Sequence, residues 1–104
     1  MTVVFYRGTN KMKSSDFQNL GIYLKEKRLS GGFTQTELSQ ALKVHVQFVS
    51  NWERGLCAPP SHCFHHLIDV LSLSREQVVN AMVSDSKRAI EAKIFKKKKK
   101  TKAS

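Results

Sequence analysis

Apolar residues recur at three- and four-residue intervals through the middle of this chain, and that spacing predicts a succession of short helices. Phe17, Leu20, Ile22 and Leu24 supply the apolar face of the first. Ser15 or Asp16 can cap it, it runs to about Leu29, and Gly31-Gly32 stops it. Gly21 sits in its middle and weakens it by up to about 1 kcal/mol. Thr34 and Glu37 form an S/T-x-x-E capping box that opens a second helix, with Leu38, Ala41 and Leu42 facing inward. Ser39 is small enough to let another helix approach. Lys43-Val44-His45 reads as a tight turn. A third helix follows from about Val46 to Arg54, with Val49 and Trp52 inward and Gly55 at its end. Pro59-Pro60 makes a rigid link, after which Ser61 caps a fourth helix with the stripe Phe64, Leu67, Ile68 and Leu71. Ser74 and Gln77 repeat the capping-box pattern for a fifth, whose inward positions are Val78, Ala81 and Met82.

Outside these helices the pattern changes. Residues 1–13 form an N-terminal arm in which Thr2 to Tyr6 are β-branched or aromatic and favour an extended conformation. An edge strand, a dimer contact and a mobile segment are all open for it. After Ser84 the apolar pattern thins to Ile90, Ile94 and Phe95, which allow a short helix, and Lys96 to Lys100 is a like-charge block expected to lack structure when free. The expected organisation is therefore an arm (1–13), a single helical domain (14–84) and a basic tail (85–104). A chain of 104 residues has room for no more than one domain.

Charge follows the same division. The net charge is +10, yet 14–84 carries six basic and six acidic residues and is neutral. The arm contributes +3 and the tail +7. Basic flanks around a neutral body point to a polyanionic partner, with attraction and specificity lodged in different segments.

The span from Thr34 to Gly55, TQTELSQALKVHVQFVSNWERG, carries the most chemistry. Two short amphipathic helices joined by a tight turn make a helix-turn-helix, whose second helix can enter the DNA major groove. If Val49 and Trp52 point inward, Val46, Gln47, Ser50 and Asn51 lie largely on the open face. Gln47 and Asn51 are four residues apart. Each amide offers a donor and an acceptor together, as adenine N6 and N7 require. Val46 can pack on a thymine methyl. Gln35 stands at a helix start, where free N–H groups and the dipole favour phosphate. Phe48 either folds back onto the core, the favoured reading, or touches bases or a partner protein.

These residues resemble the Cro/phage-repressor type of helix-turn-helix proteins, also called the xenobiotic-response-element family. The likeness covers about Leu20 to Met82 and centres on FTQTELSQALKV, VSNWERG and the Pro-containing link. Leu38, Leu42, Val44, Val49 and Trp52 fall at the family's apolar positions, and Gln35 at the glutamine that opens its second helix. The resemblance implies an all-α fold, a compact five-helix bundle whose third helix reads base edges through His45, Val46, Gln47 and Asn51, with Ser50 at the margin. Gln35 and Arg54 would hold phosphates on either side, and Arg28 would pair with Glu53. The chain departs from the family at Lys43, where Gly is frequent, at Val46, often polar in relatives, and at Phe48, where small residues are common. A non-glycine residue in a left-handed turn costs about 1 kcal/mol. Lys43 can also reach a phosphate.

Other chemistry is sparse. The run His62-Cys63-Phe64-His65-His66 with Cys57 nearby does not match a standard zinc spacing, so no metal and no cofactor are expected. Cys63 reads as core, and both cysteines are expected reduced. No serine, histidine and carboxylate arrangement suggests an activated nucleophile, so no enzymatic activity is expected. No apolar run approaches the roughly 20 residues of a membrane helix, and a surface anchor through Ile90, Ile94, Phe95 and the lysines ranks low. The expectation is a cytoplasmic, nucleoid-associated transcription regulator that binds double-stranded DNA as a homodimer and represses. The alternative is an antitoxin-like interaction module that binds its own promoter and engages a protein through arm or tail.

Overall fold

The computed structural model describes residues 16–103, so the arm (1–13) and Ser15 lie outside the described residues. The chain is all-α: helices α1 (Gln18–Ser30), α2 (Gln35–Leu42), α3 (Val46–Glu53), α4 (Ser61–Leu71) and α5 (Arg75–Ala103) follow one another with no strand among the described residues. α1 packs against both α3 and α5, and α2 against α3 and α4. The core is one cluster. Leu20 and Leu24 come from α1, Leu38 and Leu42 from α2, Val49 and Trp52 from α3, and Cys63, Leu67 and Leu71 from α4; Leu73 and Val78 complete it.

α1 buries Leu20, Leu24 and Arg28, three positions at four-residue spacing, with Gly21 beside them. Ile22 was expected on this face and is exposed instead, because two residues along a helix turn a side chain to the opposite side from Leu20. The end of α1 is a Schellman motif. Phe33 N–H donates to Arg28 O at 3.1 Å and Gly32 N–H to Leu29 O at 3.0 Å, with Gly32 at φ 78°.

The start of α1 departs from expectation. Its N-cap position is Phe17 and no side chain of its own segment caps it. The cap comes from α5: Asp85 Oδ1 accepts from Asn19 N–H at 2.8 Å and Oδ2 from Leu20 N–H at 3.0 Å. Those are the second and third N–H groups of the helix, the donors an N-cap side chain would satisfy. The carboxylate also faces the positive end of the α1 dipole. Asp85 is nearly fully buried, and Arg88, one turn on, donates to Gln18 Oε1 at 2.9 Å. α5 therefore passes without a break through the expected 84/85 border. Its packed side reaches half-buried Ala89, and its backbone is helical through Ala103, where the like-charge block was expected to lack structure.

Three smaller differences have local causes. Ala41 is exposed, since Leu38, Ser39 and Leu42 already fill the side of α2 that meets its neighbours. Pro60, not Ser61, holds the N-cap position of α4, and Phe64 and Ile68 are half-buried at the edge of the cluster. At α5 the Ser74 hydroxyl accepts from Gln77 N–H at 3.2 Å, while Ser74 N–H donates to the Tyr23 hydroxyl at 3.0 Å. A side chain of α1 thus takes the donor that the predicted box assigned to Gln77.

Candidate nucleic-acid interface

α2 starts with both halves of the capping box made: Glu37 N–H donates to Thr34 Oγ1 at 3.0 Å, and Thr34 N–H to Glu37 Oε1 at 2.9 Å. It ends in a second Schellman motif. Val44 N–H donates to Ser39 O at 3.0 Å and Lys43 N–H to Gln40 O at 3.1 Å. Lys43 occupies the left-handed position at φ 59°, the conformation its place in the turn called for, and its side chain is exposed. Half-buried Val44 packs against the core and His45, exposed, holds the N-cap position of α3.

α3 has two contrasting sides. Val49 and Trp52 are buried. Gln47 is exposed, and Val46, Ser50 and Asn51 are partly exposed. The open side also carries a hydrogen-bonded group: Gln47 Nε2 and Arg54 Nη2 donate to Asn51 Oδ1 at 3.2 and 3.1 Å. Gln47, Asn51 and Arg54 are thereby gathered on one surface. Phe48 does not fold back onto the core. It is 51% exposed, because Val49 and Trp52 already fill the inward side of this eight-residue helix.

The opposite flank of α3 is anchored by charge. Arg28 Nε donates to Glu53 Oε2 at 2.6 Å and Arg28 Nη2 to Glu53 Oε1 at 3.0 Å, a bidentate pair. Both side chains are more than nine-tenths buried. Arg28 Nη1 donates to Phe33 O at 2.8 Å, and Gln35 Nε2 to Glu53 Oε1 at 3.0 Å. One carboxylate at the end of α3 therefore links the last turn of α1 with the first residue of α2. The bond from Gln35 to Glu53 has no signal in the local sequence. It fixes Gln35 at the start of α2, a terminus that favours anions.

α1 approaches α3 closely. A Cβ placed on Gly21 would lie 2.6 Å from Glu53 O and 2.7 Å from Trp52 O. The glycine that weakens α1 as a helix is what admits the end of α3 beside it.

Cys57 is exposed and Cys63 buried, and both are free thiols. Burial pushes the Cys63 thiol above its ordinary range. Among the described residues no group of three or more His, Cys, Asp and Glu is arranged to hold a metal ion, and no helix is long and apolar enough to cross a membrane.

Residues 24–61 match the family model described as helix-turn-helix. The matched span runs from Leu24 in α1 through α2, the turn and α3 to the first residue of α4, and is narrower than the likeness read from the sequence. The comparisons with curated proteins and with solved structures gave no match. The capped α2, the left-handed turn at Lys43 and the two-sided α3 coincide with that span, and the chain thus carries a helix-turn-helix of the Cro/phage-repressor type, that of a DNA-binding transcription regulator.

Proposed function

We propose that the protein recognises a specific double-stranded DNA sequence by laying α3 in the major groove. The observation that carries this reading is the two-sided character of α3. Val49 and Trp52 hold one side in the core, and the other presents Gln47, Ser50 and Asn51 together. Gln47 and Asn51 read adenine edges through paired donor and acceptor contacts. Val46, Ser50 and His45 flank them at the base edges. Gln35 at the start of α2, Lys43 in the turn and Arg54 after α3 hold phosphates, which set the register of the docked helix. The bidentate Arg28–Glu53 pair keeps α3 at a fixed position on α1. The basic tail adds affinity without sequence preference, through counterion release. Regulation follows from occupancy: the bound protein blocks polymerase, and the outcome is repression.

Binding uses a homodimer on two half-sites about one helical turn apart. What supports a second copy is an uncovered apolar line on α5. Val79, Val83, Ile90 and Ile94 are each more than half exposed and fall within one narrow arc of a regular helix. Replacing Val83 and Ile90 together by Asp makes the protein monomeric by light scattering if this line joins two copies. An unchanged mass removes it as the dimer surface.

The test of the reading is selection of binding sites from random duplexes with the full chain, repeated with Gln47→Ala and Asn51→Ala. An enriched motif is expected, relaxed in each variant at separate positions by about 1–3 kcal/mol per contact. One identical motif from all three proteins removes these residues as readers.

A further inference from the structure

Phe48 is the residue of α3 to which the proposed DNA docking gives no role. It is 51% exposed. Val49 and Trp52 fill the inward side of this eight-residue helix, and about half of the phenyl ring is left facing outward. Its position is informative. At 3.6 residues per turn the outward side of α3 runs in the order Val46, Ser50, Gln47, Asn51, Phe48. Phe48 therefore closes this arc beside Asn51, at the edge opposite Val46.

Phe48 is also the third residue of α3, within its first turn. Long side chains on a helix lean toward its N-terminus, and the N-terminal residues of a recognition helix are those that meet base edges. The ring is thus carried toward the base edges. It has no donor or acceptor to offer a phosphate or a base amide. The one apolar group on the major-groove edge of a base pair is the thymine 5-methyl.

We infer that Phe48 is a further specificity-determining residue, which selects a thymine by packing its ring on the 5-methyl group. The inference rests on the reading of α3 as the groove helix. It assigns the amides and the ring to different bases. Asn51 senses donor and acceptor positions on an adenine, and Phe48 senses a methyl on a neighbouring pair, a group no amide distinguishes.

The experiment replaces each dT of the selected duplex, one at a time, by deoxyuridine, which removes the methyl and nothing else. Affinities of the full chain, Phe48→Ala and Phe48→Leu are measured for every duplex, with thermal unfolding of each variant as the control for folding. The wild-type protein is expected to lose about fourfold at one dT, the worth of one methyl group removed from an apolar contact. Phe48→Ala should bind the dT and dU duplexes equally at that position, while Phe48→Leu retains part of the difference. The inference is overturned if no dT is sensitive to the replacement. It is equally overturned if every sensitive dT, including any that Val46 contacts, stays undiminished in Phe48→Ala. Failure of the underlying reading is seen separately, because the random duplexes then yield no motif before any uracil is introduced.

Discussion

Gly21→Ala tests the packing that positions α3, and the two physical effects it engages have opposite signs. Judged on helix propensity alone the substitution stabilises α1 by about 1 kcal/mol. In the fold, the new methyl carbon would meet Glu53 O at 2.6 Å and Trp52 O at 2.7 Å, where ordinary contact begins at 3.4 Å. Both obstacles are backbone atoms of α3, so no side chain can swing aside. Relief requires α1 and α3 to move apart by a distance approaching the overlap of about 0.8 Å, and such overpacking costs about 1–3 kcal/mol. With the upper end of that range offset by the propensity gain, a net loss of about 2 kcal/mol is expected. For a domain of this size, that lowers the midpoint of thermal unfolding by about 8–16 °C. Trp52 is the only tryptophan and is buried, so its fluorescence follows the transition. A Gly21→Ala variant that melts higher than the wild type, as propensity alone would have it, would refute the close approach of α1 to α3.

Other substitutions probe the remaining joints. Glu53→Ala leaves the buried Arg28 guanidinium without its carboxylate and should cost about 3–5 kcal/mol, which calorimetry would read as a strongly lowered unfolding midpoint. Lys43→Gly relieves a left-handed backbone at φ 59° and should add about 1 kcal/mol to stability. The same change should weaken binding to every duplex, so urea unfolding and a DNA titration move in opposite directions; weaker stability would contradict the turn geometry. Asp85→Ala removes the cap of α1 and should cost about 1–2 kcal/mol. Faster amide exchange at Asn19 and Leu20 would show that the destabilisation falls at that site. Removing residues 96–104 should weaken binding to specific and scrambled DNA alike. It should flatten the plot of log affinity against log salt by about 0.9 for each phosphate the tail neutralises, and an unchanged slope would exclude the tail from the DNA backbone.

The parts of this fold that were legible in the sequence are those set by near neighbours. The Thr34–Glu37 box is a contact between residues three apart, and it is made. Val49 and Trp52 are also three apart, and spacing alone oriented α3. Lys43 was readable as a left-handed residue only through the resemblance, which puts a glycine at that place in the turn. What escaped involves partners far apart in the chain. The Asp85 carboxylate was counted as tail charge, since nothing local to 85 signals that the start of α1, which lacks a cap of its own, lies beside it. Gly21 read as a weakness because its benefit appears only when α3 is in place. Phe48 was expected to seek the core, but whether an inward position is already filled is decided by the whole bundle rather than by residue type. At the interface, the outward side of α3 was readable from period. The hydrogen bonds that gather Gln47, Asn51 and Arg54, and that tie Gln35 to Glu53, join side chains whose rotamers no periodicity encodes.

The most direct measurement of the central claim is a paired titration at one fixed salt concentration. The wild-type chain and Asn51→Ala are each titrated against the selected duplex and against a scrambled duplex of equal length. If α3 reads bases, the variant loses about 1–3 kcal/mol on the selected duplex and nothing measurable on the scrambled one. An equal loss on both duplexes, or no loss on either, would contradict the assignment of α3 as the reading helix.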